Sequence, residues 1–166
     1  MKLWVTRGIL LATLIIVGLW GWRAIFPTPE RVIRKRLGEL AQAASIKPNE
    51  GALVKLARSQ KVASFFAVDA EIELDLPGRF PQSLSGRDDI MRAVASVRNM
   101  LTSLKVECLD ISIQMGTDGE SGIAHFTGKA DLPGESTPQV EELQANFKKI
   151  DHEWQIQRIT NVRTLR

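Results

Sequence analysis

The sequence predicts an α+β protein in which three amphipathic helices cover one side of a mostly antiparallel sheet. Two patterns predict it. Apolar residues recur at helical spacing in three segments of the N-terminal half, and in five other segments they alternate with polar residues. The order is helix, helix, strand, helix, then four long strands in a meander, as expected when helices and strands are segregated along the chain. Each long strand is greasy on one side only, so the helices must supply its cover.

An appendage precedes this domain. After a short tail, residues 1–7, comes an uncharged run from Gly8 to Trp22, which Ala24, Ile25 and Phe26 extend past Arg23. As a helix, residues 8–26 would reach about 28 Å, close to the thickness of a bilayer core. Trp4 lies at one end, and Trp20 and Trp22 lie at the other beside Arg23. Tryptophan favours both membrane interfaces, so the run is expected to be an uncleaved transmembrane anchor. A cleaved signal peptide is the alternative, with Lys2 and Arg7 as its basic start, but Trp-Gly-Trp-Arg follows where small residues should mark cleavage. A helix buried in a soluble core is the third reading. The count of flanking basic residues favours a cytoplasmic domain. The very short tail favours a bacterial inner-membrane anchor with the domain on the periplasmic side, which is the orientation expected here.

Residues 27–166 make the domain. Thr28 can cap a helix that starts at Pro29, with Val32, Ile33, Leu37, Leu40, Ala41 and Ala44 on its apolar side. Pro48 ends it. A second helix from about Asn49 carries Leu53, Leu56, Ala57, then Ala63 and Phe66, on its apolar side. In residues 67–76, Ala70, Ile72, Leu74 and Leu76 alternate with Asp69, Glu71, Glu73 and Asp75, which predicts a strand. Pro77-Gly78 breaks it, and residues 78–84 read as a loop. Ser85-Gly86-Arg87-Asp88 has the form of a capping box opening a third helix, with Ile90, Met91, Val94, Val97 and Leu101 on its apolar side. The first meander strand, about 105–115, groups Leu109, Ile111, Ile113 and Met115. Gly116-Thr117-Asp118-Gly119 turns the chain. The next strands group Ala124, Phe126, Ala130 and Leu132, then Leu143, Ala145 and Phe147, then Trp154, Ile156 and Val162.

The chain has 166 residues, enough for one domain with its own core plus the anchor. Cys108 is the sole cysteine, so neither an internal disulfide nor a cysteine metal site can form. The net charge of +3 resides in residues 1–26, and the remainder is neutral. Within it, residues 30–61 hold eight basic residues against Glu30, Glu39 and Glu50. That excess is either a solvated helix face or a surface for anionic lipid headgroups. No basic stripe with interleaved aromatics occurs, so no nucleic-acid partner is expected. No two of His, Asp and Glu share a face at metal-ligand spacing, and no cofactor is expected.

Three phrases carry a resemblance. They are Phe65-Phe66-Ala67-Val68-Asp69-Ala70-Glu71-Ile72, Ser85-Gly86-Arg87-Asp88-Asp89-Ile90, and the closing Trp154-Gln155-Ile156. In this order and spacing they resemble the NTF2-like superfamily, with its ketosteroid-isomerase-like and SnoaL-like groups, over about residues 30–166. The resemblance implies a cone, in which the sheet curls around the helices and leaves a pocket. It also implies a homodimer through the outer sheet face. It does not give a function, because the superfamily hosts enzymes and non-enzymes alike.

The same alignment places Leu74 where the isomerases carry their carboxylate base. Asp75 could replace it only after a one-residue slip, which would turn the side chains over. There is no tyrosine to serve as the oxyanion donor. Asp69 shares a face with Glu71, Glu73 and Asp75, which reads as a solvated acidic edge. His125 points away from Ala124 and Phe126, toward the outer face. Asp69, Asp75 and His125 are therefore weak catalytic candidates. Strict alternation puts Arg158 inward beside Trp154, where it could hold an anionic ligand; a bulge would instead rotate it out and bring Ile159 in. Arg158, Trp154, Phe126 and Phe147 are the expected ligand-binding residues. The function expected is a non-catalytic binding or assembly module for a small apolar ligand or a protein partner. The alternative is a lyase, isomerase or hydrolase acting in the pocket.

Overall fold

The computed structural model describes residues 28–74 and 83–162. They form α1 (Pro29–Ala44), α2 (Ala52–Ala63), β1 (Phe66–Glu73), β2 (Ser83–Ser85), α3 (Arg87–Met100), β3 (Lys105–Met115), β4 (Ser121–Asp131), β5 (Gln139–Ile150) and β6 (Glu153–Asn161). The six strands make one sheet in the order β2-β1-β6-β5-β4-β3. Only the β1–β6 pair is parallel. The predicted anchor at 8–26 and the candidate Asp75 lie outside the described residues. Among the described residues, no helix is long and apolar enough to cross a membrane.

The helix spacing read from the sequence holds for α1. Ile33, Leu37 and Ala41 recur every fourth residue and are all buried. α1 packs chiefly on β3. Gly122 on β4 makes room for it, since a Cβ there would come within 3.1 Å of Ile33. The core continues through Phe65, Phe66, Ile90, Phe126, Phe147 and Trp154.

α2 departs from the prediction. Its buried side is Ser59, Val62 and Ala63, while Leu53, Val54 and Leu56 are exposed. The helix is pinned at both ends. Ahead of it Glu50 bonds the buried Arg98, and behind it Phe65 and Phe66 enter the core. Those ties set its rotation, and the leucines face outward as a result.

The loop expected at 78–84 ends in a strand, β2, paired antiparallel with β1. Ser85 belongs to that strand, so the capping box does not form. Gly86 is the N-cap of α3 instead, with φ +86 and its N–H bonded to the Ala70 carbonyl at 2.8 Å. A left-handed φ favours glycine, which explains this residue in the Gly-Arg phrase. Arg87 follows and donates from Nε to the Phe66 carbonyl at 2.9 Å and from an Nη to Gln155 Oε1 at 3.2 Å. It thereby ties the start of α3 to the β1–β6 junction.

Three register shifts interrupt the ladders, at residues 66–71 of β1, 109–112 of β3 and 156–158 of β6. Bulges bend and twist a sheet, which is how this one can curl over its helices. They also correct two face assignments. Leu109 pairs with Thr127 before the β3 bulge, so it faces outward while Ile111, Ile113 and Met115 face in. Asp110 takes up the extra residue at φ +51. Val162, beyond the β6 bulge, is exposed and does not share the side of Trp154 and Ile156.

Candidate functional site

Beside α3, between the helices and the inner face of the sheet, lies an open cleft of about 310 Å³. Leu74 follows β1, Val97 and Leu101 come from the end of α3, and Leu104 and Val106 lead into β3. Leu132 and Leu143 complete the apolar wall. The floor at Gly128 has no side chain, and a Cβ there would meet Leu143 at 3.0 Å. The missing side chain keeps the space open.

The wall is braced from behind. Ile46 and Leu104 exchange backbone hydrogen bonds of 2.8 and 3.1 Å. Arg98, on the same helix as Val97, is 1% exposed. It donates to Glu50 at 2.9 Å, to the Ser45 carbonyl at 3.2 Å and to the Ala43 carbonyl. Burial lowers its pKa, and the Glu50 carboxylate opposes that shift. Arg58 adds a second cation 3.4 Å from Glu50.

Lys129, Gln139 and Glu141 also border the cleft. Glu141 shares the parity of Leu143, Ala145 and Phe147, so it faces the same inner side of the sheet. Asn161 Nδ2 donates to it at 3.1 Å. The alternation that marks Leu143 also marks Glu141. Likewise Arg98 lies four residues after Val94, on the apolar side of its helix. Both signals are present in the sequence, but sequence reasoning missed them because the isolated charges of β1 and β6 stand out more.

The sequence-predicted candidates lie elsewhere and do not come together. The β6 bulge turns Arg158 outward and Ile159 inward, as the bulged reading of the sequence expected, and the inward position from strict alternation is corrected. Arg158 donates to Glu73 at 2.7 Å and lies 3.8 Å from Glu71, and these pairs raise its pKa. Asp69 is exposed beside the β1 bulge. His125 lies opposite Ser112 and Gln144 on the outer face, as expected. Trp154, Phe126 and Phe147 are buried in the core, and none of them lines the cleft. The bulky aromatics fill the body of the fold, and smaller aliphatic residues surround the open space.

As it stands, the cleft can shelter an apolar group and offer one carboxylate at its edge. Among the described residues, no group of His, Cys, Asp and Glu could hold a metal ion.

No protein-family model matches the sequence, and no curated protein matches it. Solved structures match its fold. An NTF2-like protein of unknown function from Pseudomonas putida KT2440 is similar with a TM-score of 0.62 and 12% identity, over 82% of this chain and 87% of that one. Aln2 from a Streptomyces species is similar with a TM-score of 0.60 and 10% identity, over 83% and 93%. A protein assigned as a scytalone dehydratase from Novosphingobium aromaticivorans DSM 12444 is similar with a TM-score of 0.59 and 14% identity, over 81% and 83%. The chain therefore has the NTF2-like fold, with three helices held against a mixed six-stranded sheet.

Proposed function

We propose that this protein is a membrane-tethered binding module whose cleft takes a small apolar ligand without transforming it. One observation carries the reading: the cleft wall is aliphatic, and Leu74 stands in it at the position where the resemblance places an isomerase's base. A leucine can contribute contact but no proton transfer. The apolar, tryptophan-bracketed segment 8–26 supports the tether, with the domain on the periplasmic side of a bacterial inner membrane.

Titration with N-phenyl-1-naphthylamine, a neutral fluorophore, tests the cleft. The wild type should show saturable binding to one site. Gly128→Leu fills the floor and Leu132→Asp charges the wall, and each should weaken binding at least about tenfold, as expected when apolar contact is lost. Near-UV circular dichroism should stay native. Two folded variants with unchanged affinity would refute the reading.

A second reading, a lyase, isomerase or hydrolase acting on an apolar substrate, is favoured by the Glu141–Asn161 pair at the cleft. One structural neighbour is assigned as a dehydratase. Against it, Asp69, His125 and Arg158 all lie away from the cleft.

A further inference from the structure

The corner formed by the start of α2 and the end of α3 exposes apolar side chains that the fold leaves uncovered. Leu53 is 83% exposed, Leu56 51% and Met100 65%. Lys55 and Asn99 border two adjoining hollows, one edged by Leu56 and the other by Met100 and Lys47, which makes these side chains neighbours. Leu53 lies one turn before Leu56 on the same helix, so the two share a side of it. Three exposed apolar side chains grouped at one corner of a small domain point to a contact surface.

The charges say what it contacts. Between Glu50 and Asp69, and again between Asp89 and Glu107, the chain carries no acidic residue, while Lys55, Arg58, Lys61, Arg92, Arg98 and Lys105 lie in those stretches. Lys47 stands just before Glu50. Among the described residues bordering the two hollows, the one acid is Glu50, whose side chain is only 4% exposed and is already paired with Arg98 and Arg58. The corner therefore presents leucine and methionine beside Lys47 and Lys55, which form no ion pair among the described residues. A second copy docked here would set lysine against lysine. Residues 1–26 contain Lys2, Arg7 and Arg23 and no acid, so they too would bring like charge. A surface of anionic lipid supplies both an apolar layer for the leucines and negative headgroups for the lysines.

We infer that this corner is a membrane-docking surface: Leu53, Leu56 and Met100 enter the interface of an anionic bilayer while Lys47 and Lys55 hold its headgroups. Docking here would fix the domain against the bilayer and set the direction in which the cleft opens. The inference does not require residues 8–26 to span the membrane.

The test uses the full chain with an environment-sensitive nitrobenzoxadiazole probe on Leu53→Cys in a Cys108→Ala background. It is mixed with vesicles of phosphatidylcholine, with or without phosphatidylglycerol, and each sample is also floated. The expected result is a several-fold rise in probe fluorescence with phosphatidylglycerol, quenched by spin-labelled lipid and reversed by high salt. Lys47→Glu combined with Lys55→Glu should abolish it, and so should Leu56→Ser with Met100→Ser. Both pairs are on the surface, and native near-UV circular dichroism checks their folding. A chain that floats while the Leu53 probe stays aqueous overturns this proposal and leaves the anchor standing. Flotation that needs phosphatidylglycerol and is lost in salt, with the Leu53 probe bright and both effects abolished by the Lys47→Glu, Lys55→Glu pair, supports the corner and argues against the anchor. A bright probe without any lipid means that protein covers the corner, and that too overturns the proposal.

Discussion

Cys108 faces inward, opposite Gly128, with its Sγ 3.8 Å from the Leu37 carbonyl. Burial pushes its thiol up to about 11. Two consequences follow from that direction. At neutral pH the folded protein should react with iodoacetamide about a hundredfold more slowly than the same chain in urea, because only the thiolate attacks. Stability should also depend on alkaline pH. The folded pKa lies above the ordinary 9.0, so the contribution is whole below that value and is lost as pH rises toward about 11. Urea melts of wild type and Cys108→Ala, compared across that window, check the sign: the wild type should lose stability more steeply. Arg158 teaches a different lesson at the same scale. Its pairs with Glu71 and Glu73 are half-exposed, and such pairs contribute little to stability. A side chain that alternation alone placed inward stands outward as a cross-strand ion-pair partner.

At the scale of elements, the turn from α1 into α2 is held by the buried Arg98–Glu50 pair and the Ile46–Leu104 bridge. Removing Arg98 leaves the buried Glu50 with Arg58 alone and takes the donor from the Ala43 and Ser45 carbonyls. Arg98→Met should therefore cost about 3 kcal/mol or more, measured as a shift of the urea midpoint at constant slope. The double variant Arg98→Met with Glu50→Gln should recover part of that loss. If the single variant costs nothing, the pair does not hold the loop. The bulges matter at this scale as well. The acidic alternation in β1 ran true from Ala70 to Glu73. In β3 and β6 an extra residue reversed the faces of Leu109, Arg158 and Val162. The β6 bulge was signalled by Arg158, which would otherwise be a charge facing the core, whereas the β3 bulge left no mark because apolar residues occur on both sides of it. The rotation of α2 was equally hidden, since a helix with leucines on one side and small residues on the other can pack on either.

For the molecule as a whole, the outer sheet face carries exposed Leu109, Ile123, Val140 and Val162 among polar neighbours such as Gln144 and His125. We propose this face as the homodimer surface, which would leave the cleft on the opposite, helical side. Sedimentation of the detergent-solubilised chain should give a dimer. Ile123→Lys should shift it to monomer, because a like charge meets its own copy near a two-fold axis. Leu53→Ser at the lipid-facing corner should leave the dimer intact. A dimer indifferent to Ile123→Lys would place the interface elsewhere.

The sequence by itself determined the α+β class, the order of the long elements, the one-sided sheet and the position of Leu74, because periodicity and turn residues are local properties of the chain. It also made the NTF2-like resemblance readable from the Gly86-Arg87 and Trp154-Gln155-Ile156 phrases. Only the tertiary structure decided that Arg158 turns out, that α2 shows its leucines to solvent, and that the cleft opens over Gly128 rather than beside the aromatics. Those outcomes depend on register and helix rotation, which are set by contacts between residues far apart in the chain, such as Arg98 with Glu50 and Ile46 with Leu104.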